Sequence, residues 1–217
     1  MSDFSKTNRN KVKRIPKRGH YDKKTIYEIL DEAFIAHVGF SINGQPYVIP
    51  TAYGRAGDSI YIHGATTSRM LVNLKEGVPV CLTVTHLDAL VLARSSFHHS
   101  MNYRSAVVFG KAREVEGEEK THGLRIITEN ILKGRWDEAR KPNEKEMKAT
   151  SVLKITIEEA SAKIRTGAPG DEKEDYQLPV WAGIVPLNTS WGVPVPDPLL
   201  REGIPVPESV LNILKKK

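Results

Sequence analysis

The sequence predicts a mainly β (α+β) fold, an antiparallel barrel with a few peripheral helices. Three observations carry this. Six or seven runs have strand periodicity and succeed one another in meander order. Turn signals separate them, above all Asn43-Gly44, the strongest short hairpin signal. Helical periodicity is confined to a few short stretches, too few to cover both faces of a doubly wound sheet.

The first element is a helix. Asp22 is placed to cap it, and its apolar residues Ile26, Ile29, Leu30 and Ala33 recur at helical spacing. The period then changes to strands over 34–42 and 45–54, joined by Asn43-Gly44, with a third over 58–64 after Ala56-Gly57. Pro50 within the second implies an edge or a bulge there. A short helix from about Ser68 to Glu76 is closed by Gly77 and succeeded by Pro79. Two long strands are expected over 78–95 and 104–117, then a helix over about 118–132 carrying Leu124, Ile127 and Ile131. Residues 135–150 are polar and mix helix with loop, and 151–167 return to strand. Beyond them the prolines are too frequent for regular structure, so the chain is expected to wrap over the surface. The last segment, 207–217, is left open between helix and coil.

Composition narrows the function. The 217 residues contain 40% hydrophobic and 27% charged side chains, ordinary for a globular protein, with no run apolar enough to span a membrane. The single cysteine, Cys81, lies in an apolar run and reads as a core residue; a cytoplasmic location is the default. The net charge of +6 is unevenly distributed. Seven basic side chains against Asp3 fall within residues 1–18, and Lys215, Lys216 and Lys217 end the chain, so the intervening body is slightly acidic. Residues 1–18 are therefore expected to be a flexible basic arm, 19–200 the folded domain and 201–217 a tail. Charge confined to tails does not make a nucleic-acid groove.

The stretch "SIYIHGATTSRMLVNL" (59–74) crowds a glycine, three hydroxyls and an arginine into a helix entrance. The first N–H groups of a helix lack intrahelical acceptors, hydroxyls add donors, and arginine offers a planar fork suited to phosphate. Two readings stand side by side: a phosphate-binding turn, or one capping hydroxyl beside a surface arginine. His86, Asp88, His98 and His99 do not share a metal-ligand spacing, because adjacent His98 and His99 face opposite sides of a strand. No metal is expected. "RWDEAR" (135–140) reads as a solvated salt-bridge face or, alternatively, as the rim of a substrate mouth.

"VIPTAYG", "IYIHGATTSRM", "MNYRSAVVFGKAREV", the 135–167 stretch and "VWAGIVPL" occur in an order and spacing that resembles the pyridoxamine 5′-phosphate oxidase-like, FMN-binding split-barrel family. The likeness is to the branch with nitroimidazole-resistance and flavin-nucleotide-binding proteins, over roughly residues 19–200. It implies a split β-barrel holding FMN at a homodimer interface. Val48, Ile49, Pro50, Thr51, Ala52 and Tyr53 would flank the ring and ribityl chain, and His63, Gly64 and Ala65 would border the same groove. Thr67, Ser68 and Arg69 would meet the phosphate. Arg104 and Ser105 would reach the flavin from across the dimer, with an interface ion-pair role the alternative for Arg104. Trp181 would cover the ring or act as a packing lid.

The chain departs from the oxidases themselves. Met70 stands where they carry a lysine, Ser105 where they carry a glutamine, and the late arginine-histidine pair has no counterpart. Vitamin B6 phosphate is therefore not the expected substrate. Two functions remain open: an FMN-dependent oxidoreductase fed by a reductant such as NAD(P)H, and a flavin carrier or sensor without turnover. Haem, bound by some split barrels, lacks a sequence-specific ligand here, and a nucleic-acid partner or a membrane is not expected.

Overall fold

The structure, a computed structural model, describes residues 3–215; Lys216 and Lys217 lie outside them. Among the described residues there are eight strands and six α-helices. The first half holds β1 (Gly19–His20), α1 (Lys23–Glu32), β2 (Ile35–Ile42), β3 (Gln45–Ala56), β4 (Ser59–Ala65), α2 (Arg69–Leu74), β5 (Pro79–Leu92) and β6 (Ser100–Glu114). Then come α3 (Gly117–Ile131), α4 (Arg135–Glu138), α5 (Glu144–Ala149), β7 (Thr150–Arg165), β8 (Gly183–Pro186) and α6 (Glu208–Leu214). Hydrogen bonding orders the strands β1-β7-β4-β3-β2-β5-β6, and β6 also pairs with β7. That order closes on itself, the connectivity of the antiparallel barrel expected from sequence.

The turns form for reasons of local chemistry. Asn43 and Gly44 both take positive φ (50° and 81°), as a two-residue hairpin matched to strand twist requires. Asp22 accepts a hydrogen bond from Thr25 N at 2.8 Å and caps α1. Gly77, at φ 77°, donates to Leu74 O and ends the turn after α2.

The chain divides into two compact units. The first comprises residues 3–51, 78–111 and 157–188. Here β5 pairs with β2, β6 and β8, and β1 with the end of β7. Its core is built from Ile26, Ile29 and Leu30 of α1 with Val38, Leu82, Val84 and Val108 of the strands. Cys81, half-buried opposite Gly39, belongs to this packing, and burial pushes its thiol pKa up. The register of β5 against β6 is irregular between Leu87 and Ala89. The segment expected to be irregular contains β8, whose Gly183–Pro186 pair with β5. From Trp191 to Val206 the chain is exposed and forms no helix or strand.

The basic arm is not a loose appendage within the described residues. Asn10 is buried and donates to Ser5 O (2.8 Å) and Ala160 O (3.1 Å). Arg9 pairs with Glu158 and Glu159, Thr7 also bonds Glu159, and Phe4 N donates to Tyr21 O. The Glu158-Glu159 pair on β7 supplies carboxylates for Arg9.

The second unit comprises residues 52–77, 112–156 and 189–215. β4 pairs with β3 on one side (Tyr53↔Ile62 to Ala56↔Ser59) and with β7 on the other (Ser59↔Thr156 to Ala65↔Thr150). Tyr61, Val115, Ile127 and Val152 form a buried cluster under α3. The polar 135–150 stretch resolves into α4 and α5 with loops, as expected, and α5 opens on a capping box between Asn143 and Glu146. Arg135 pairs with Glu138 (3.5 Å), while Arg140 reaches Glu146 (2.7 Å). Glu138 also accepts from Ser209 N at 2.9 Å and from its hydroxyl, fixing α6, so the last segment is helical where it is described.

Helix α3 lies so close that two glycines are obligatory. A Cβ on Gly54 of β3 would fall 2.5 Å from Ile126 O, and one on Gly123 would fall 2.8 Å from the Tyr61 ring. Backbone cannot yield as a side-chain tip can. Gly54→Ala is therefore expected to destabilise the protein by about 1–3 kcal/mol through overpacking. Urea unfolding checks this, and a wild-type midpoint would refute the close seating of α3.

Candidate functional site

The predicted site residues separate between the two units. Val48, Ile49, Pro50 and Thr51 lie on β3 in the first. Their exposure alternates: Val48 is 68% exposed and Pro50 exposed, while Ile49 and Thr51 are half-buried. In the second unit Ala52 is half-buried, but Tyr53 is 0% exposed. Its ring is core, and its carbonyl accepts from Asn130 Nδ2 at 3.0 Å. The alternation of β3 explains it, since a residue out of phase with exposed Val48 and Pro50 points inward.

The phosphate-like turn is clearest in the second unit. β4 ends at Ala65, and the chain passes through exposed Thr66 and Thr67 to Ser68, the N-cap residue of α2. The Ser68 hydroxyl makes no capping bond. Backbone bonds fix the turn: Ser68 N donates to Ala65 O (2.9 Å), Thr66 N to Ala149 O (3.1 Å) and Val72 N to Ser68 O (2.9 Å). The simple explanation of the crowded hydroxyls, that one of them caps the helix, thus fails for Ser68. α2 has only 6 residues, so its macrodipole is small and the turn's capacity for an anion rests on side chains and turn geometry. Exposed Arg69 is the cation of the turn. Gly64 has a packing reason as well: an added Cβ would sit 3.1 Å from Leu71 Cδ1, so glycine here lets α2 close on β4.

His63 precedes this turn on β4, opposite Val152. Its Nδ1 is buried without a hydrogen-bond partner, and burial pushes the imidazole pKa below 6.5. At neutral pH the ring is uncharged and keeps one nitrogen unsatisfied, a polar atom that a bound group could serve.

In the first unit Arg104 holds two carboxylates of its own chain. Nε and Nη2 meet Asp88 at 2.9–3.2 Å, Nη2 also meets Glu32 Oε1 at 3.0 Å, and Nη1 bonds Glu32 Oε2. The guanidinium holds the Glu32 carboxyl below its usual range, and the two carboxylates raise Arg104 in turn. Arg104 is thus an ion-pair centre within its own chain. Sequence reading missed these partners because Asp88 sits at the β5 irregularity, where strand periodicity no longer tells which residues face each other. Ser105 Oγ donates to Lys163 O at 3.3 Å. Trp181 is 66% exposed, and a Cβ on Gly183 would fall 2.9 Å from its ring, so the indole packs beside the start of β8.

The histidines weighed for a metal go separate ways: His86 Nε2 bonds Ile29 O (2.9 Å), His99 Nδ1 accepts from Ala93 N (3.0 Å), and His98 approaches Glu172 (3.5 Å). Among the described residues no group of three or more His, Cys, Asp or Glu is placed to hold a metal ion. Nor is any described helix long and apolar enough to cross a membrane.

Burial of His63 fixes a pH dependence. The unfolded chain binds a proton on this side chain near pH 6.5 and the folded chain only at lower pH, so stability is complete above 6.5 and declines as pH falls below it. His63→Gln is expected to remove that part of the slope. Parallel slopes for wild type and variant between pH 5 and 7, roughly the range in which an unperturbed histidine titrates, would contradict the assignment.

Known proteins extend the picture. The family model for pyridoxamine 5′-phosphate oxidase matches residues 22–164. The flavocytochrome Anf3 from Azotobacter vinelandii is 39% identical, covering 95% of this chain and 97% of its own, with a TM-score of 0.88. The FAD and haem binding protein from Mycobacterium smegmatis is 37% identical over 90% of this chain and 97% of its own, at 0.87. A structure described as a 5-nitroimidazole antibiotic resistance protein from Bacteroides thetaiotaomicron is 26% identical, covers 67% of this chain and 86% of its own, and gives 0.57. No curated protein matches the sequence. The antiparallel strand order, the β4–α2 turn and a family model spanning more than half of the chain agree: this chain belongs to the pyridoxamine 5′-phosphate oxidase family, with its split-barrel fold.

Proposed function

We propose that this protein binds a flavin nucleotide whose phosphate docks on the 65–69 turn. The observation that carries the reading is likeness over at least 90% of both chains to two proteins named for flavin, at 39% and 37% identity. The chain's own chemistry fits. Ser68 offers a hydroxyl not used in capping, Thr66 and Thr67 expose two more, and Arg69 adds the charge that a phosphate needs. His63, uncharged and with Nδ1 unsatisfied, is suited to bond a neutral polar edge of the cofactor and unsuited to hold an anion. The missing lysine at Met70, which is buried, leaves the turn one cation and several hydroxyls.

A bound flavin would supply hydride or electron transfer, and the protein would supply binding, orientation and exclusion of water. Of the two flavin nucleotides, FMN is what the sequence resemblance implies, and FAD is what the Mycobacterium relative is named for. FAD is favoured, because that relative matches nearly the whole chain. We further propose a homodimer. Exposed Leu87, Leu90, Met101 and Val185 on β5, β6 and β8 offer apolar surface for a second copy. An oxidoreductase rather than a passive carrier is the working assignment, with a nicotinamide coenzyme as reductant.

A second reading adds haem, because both of these relatives are named for it as well. His63 is the histidine with a buried, unpartnered nitrogen, and a neutral imidazole is the form that ligates iron.

Purified protein is expected to show flavin absorbance, and denaturation should release FAD in chromatography. Arg69→Ala should weaken flavin binding by about 1.5–3 kcal/mol, the worth of a hydrogen bond to a charged group. A haem Soret band that disappears in His63→Ala would establish the second reading. Colourless protein that ignores added FAD and FMN would refute the first.

A further inference from the structure

β7 ends on a cation in the wrong environment. Arg165 is only 8% exposed, and its Nη1 donates to Oδ1 of the buried Asn102 at 2.5 Å. Asn102 is itself held by its Nδ2, which donates to Gly167 O at 3.2 Å. Among the described residues no carboxylate lies within ion-pair distance of Arg165. Its neighbours are Arg18, of the same sign, and the Tyr103 phenol, which acts in the opposite direction. Arg18 closes the short turn Pro16–Arg18, and the next residue, Gly19, pairs with Lys163 on β7, two positions before Arg165. The acids nearest in sequence already have cations: Glu158 and Glu159 bond Arg9, Asp171 bonds Arg94, and Glu172 faces His98.

The contrast with Arg104 is informative. That guanidinium, more exposed, carries two carboxylates. The more buried one carries none, and burial together with Arg18 pushes its pKa down. A desolvated, unpaired charge is costly and persists where a partner of opposite sign completes it. Two guanidiniums suit a dianion, and the planar arginine fork matches phosphate oxygens.

We propose that Arg165 and Arg18, with Asn102 orienting Arg165, form a second phosphate-binding site that takes a phosphate group of a nucleotide. The site lies within the first unit and uses none of the residues of the 65–69 turn, which belong to the second. The phosphate comes either from the flavin, in which case the site rests on the flavin reading above, or from a nicotinamide coenzyme.

The test uses the full chain stripped of cofactor, with inorganic pyrophosphate as the first probe in calorimetry and thermal unfolding. Arg165→Gln keeps a donor for Asn102 and removes the charge. It is expected to weaken pyrophosphate binding at least tenfold without lowering the unfolding temperature in anion-free buffer, because it removes an unpaired charge. Arg18→Gln, at a less buried position, is expected to weaken binding in the same direction and serves if Arg165→Gln does not fold. Titrations with FAD, FMN and NADPH then identify the source as the nucleotide whose affinity falls in the variants. Equal pyrophosphate affinity in wild type and both variants overturns the site. So does a lowered unfolding temperature in Arg165→Gln with unchanged pyrophosphate affinity, the mark of a purely structural arginine. Protein that binds no flavin, yet loses pyrophosphate affinity in Arg165→Gln, keeps this site and ends the flavin reading; unaltered pyrophosphate binding beside intact flavin binding does the reverse.

Discussion

The clamping of β4 is the constraint on which the candidate turn depends. This strand is hydrogen-bonded to β3 along one edge and to β7 along the other, and α3 closes over Tyr61 with no room for a side chain at Gly123. Ile60 and Ile62 are fully buried on it. A strand so held ends at a fixed place, and the residues beyond it, up to Arg69, are presented with little freedom of position. Ligand sites gain from such rigidity, because the donors do not have to be ordered when the ligand arrives. The same packing explains Gly64, which lets Leu71 bring α2 against the strand and sets Ser68 at the helix entrance.

Much of this is legible in the residues. The Asn43-Gly44 turn, the Asp22 cap and the Gly77 stop each rest on local chemistry, and each forms as that chemistry dictates. The features that escape depend on partners distant in sequence. β8 is hidden because its prolines argue against strand, yet an edge strand tolerates them when β5 alone pairs with it. The packed arm is hidden because Glu158 and Glu159 lie some 150 positions from Arg9. The capping box of α5 is written in Asn143-Glu-Lys-Glu146 and is the signal that fixes that helix. Strand phase also explains why the Tyr53 side chain is buried while Val48 and Pro50 are exposed.

Charge placement divides the arginines by task. Arg9, Arg94 and Arg104 each hold carboxylates of their own chain, so their role is to tie segments together. Arg69 stands at an exposed turn among hydroxyls, where a phosphate can reach it, and Arg165 is buried without an acid. The two readings of ligand chemistry rest on these two settings, one open to solvent and one starved of countercharge. Net charge alone, concentrated at the termini, points elsewhere and is uninformative about either.

The claim at the centre of the account is that a flavin phosphate is anchored by the turn after β4. Phosphorus NMR of the bound flavin, compared between wild type and Ser68→Ala, tests it most directly. The account predicts a phosphorus resonance displaced from that of free flavin nucleotide and shifted again when the Ser68 hydroxyl is removed. A bound-state resonance identical in the two proteins would place the phosphate elsewhere and contradict the account.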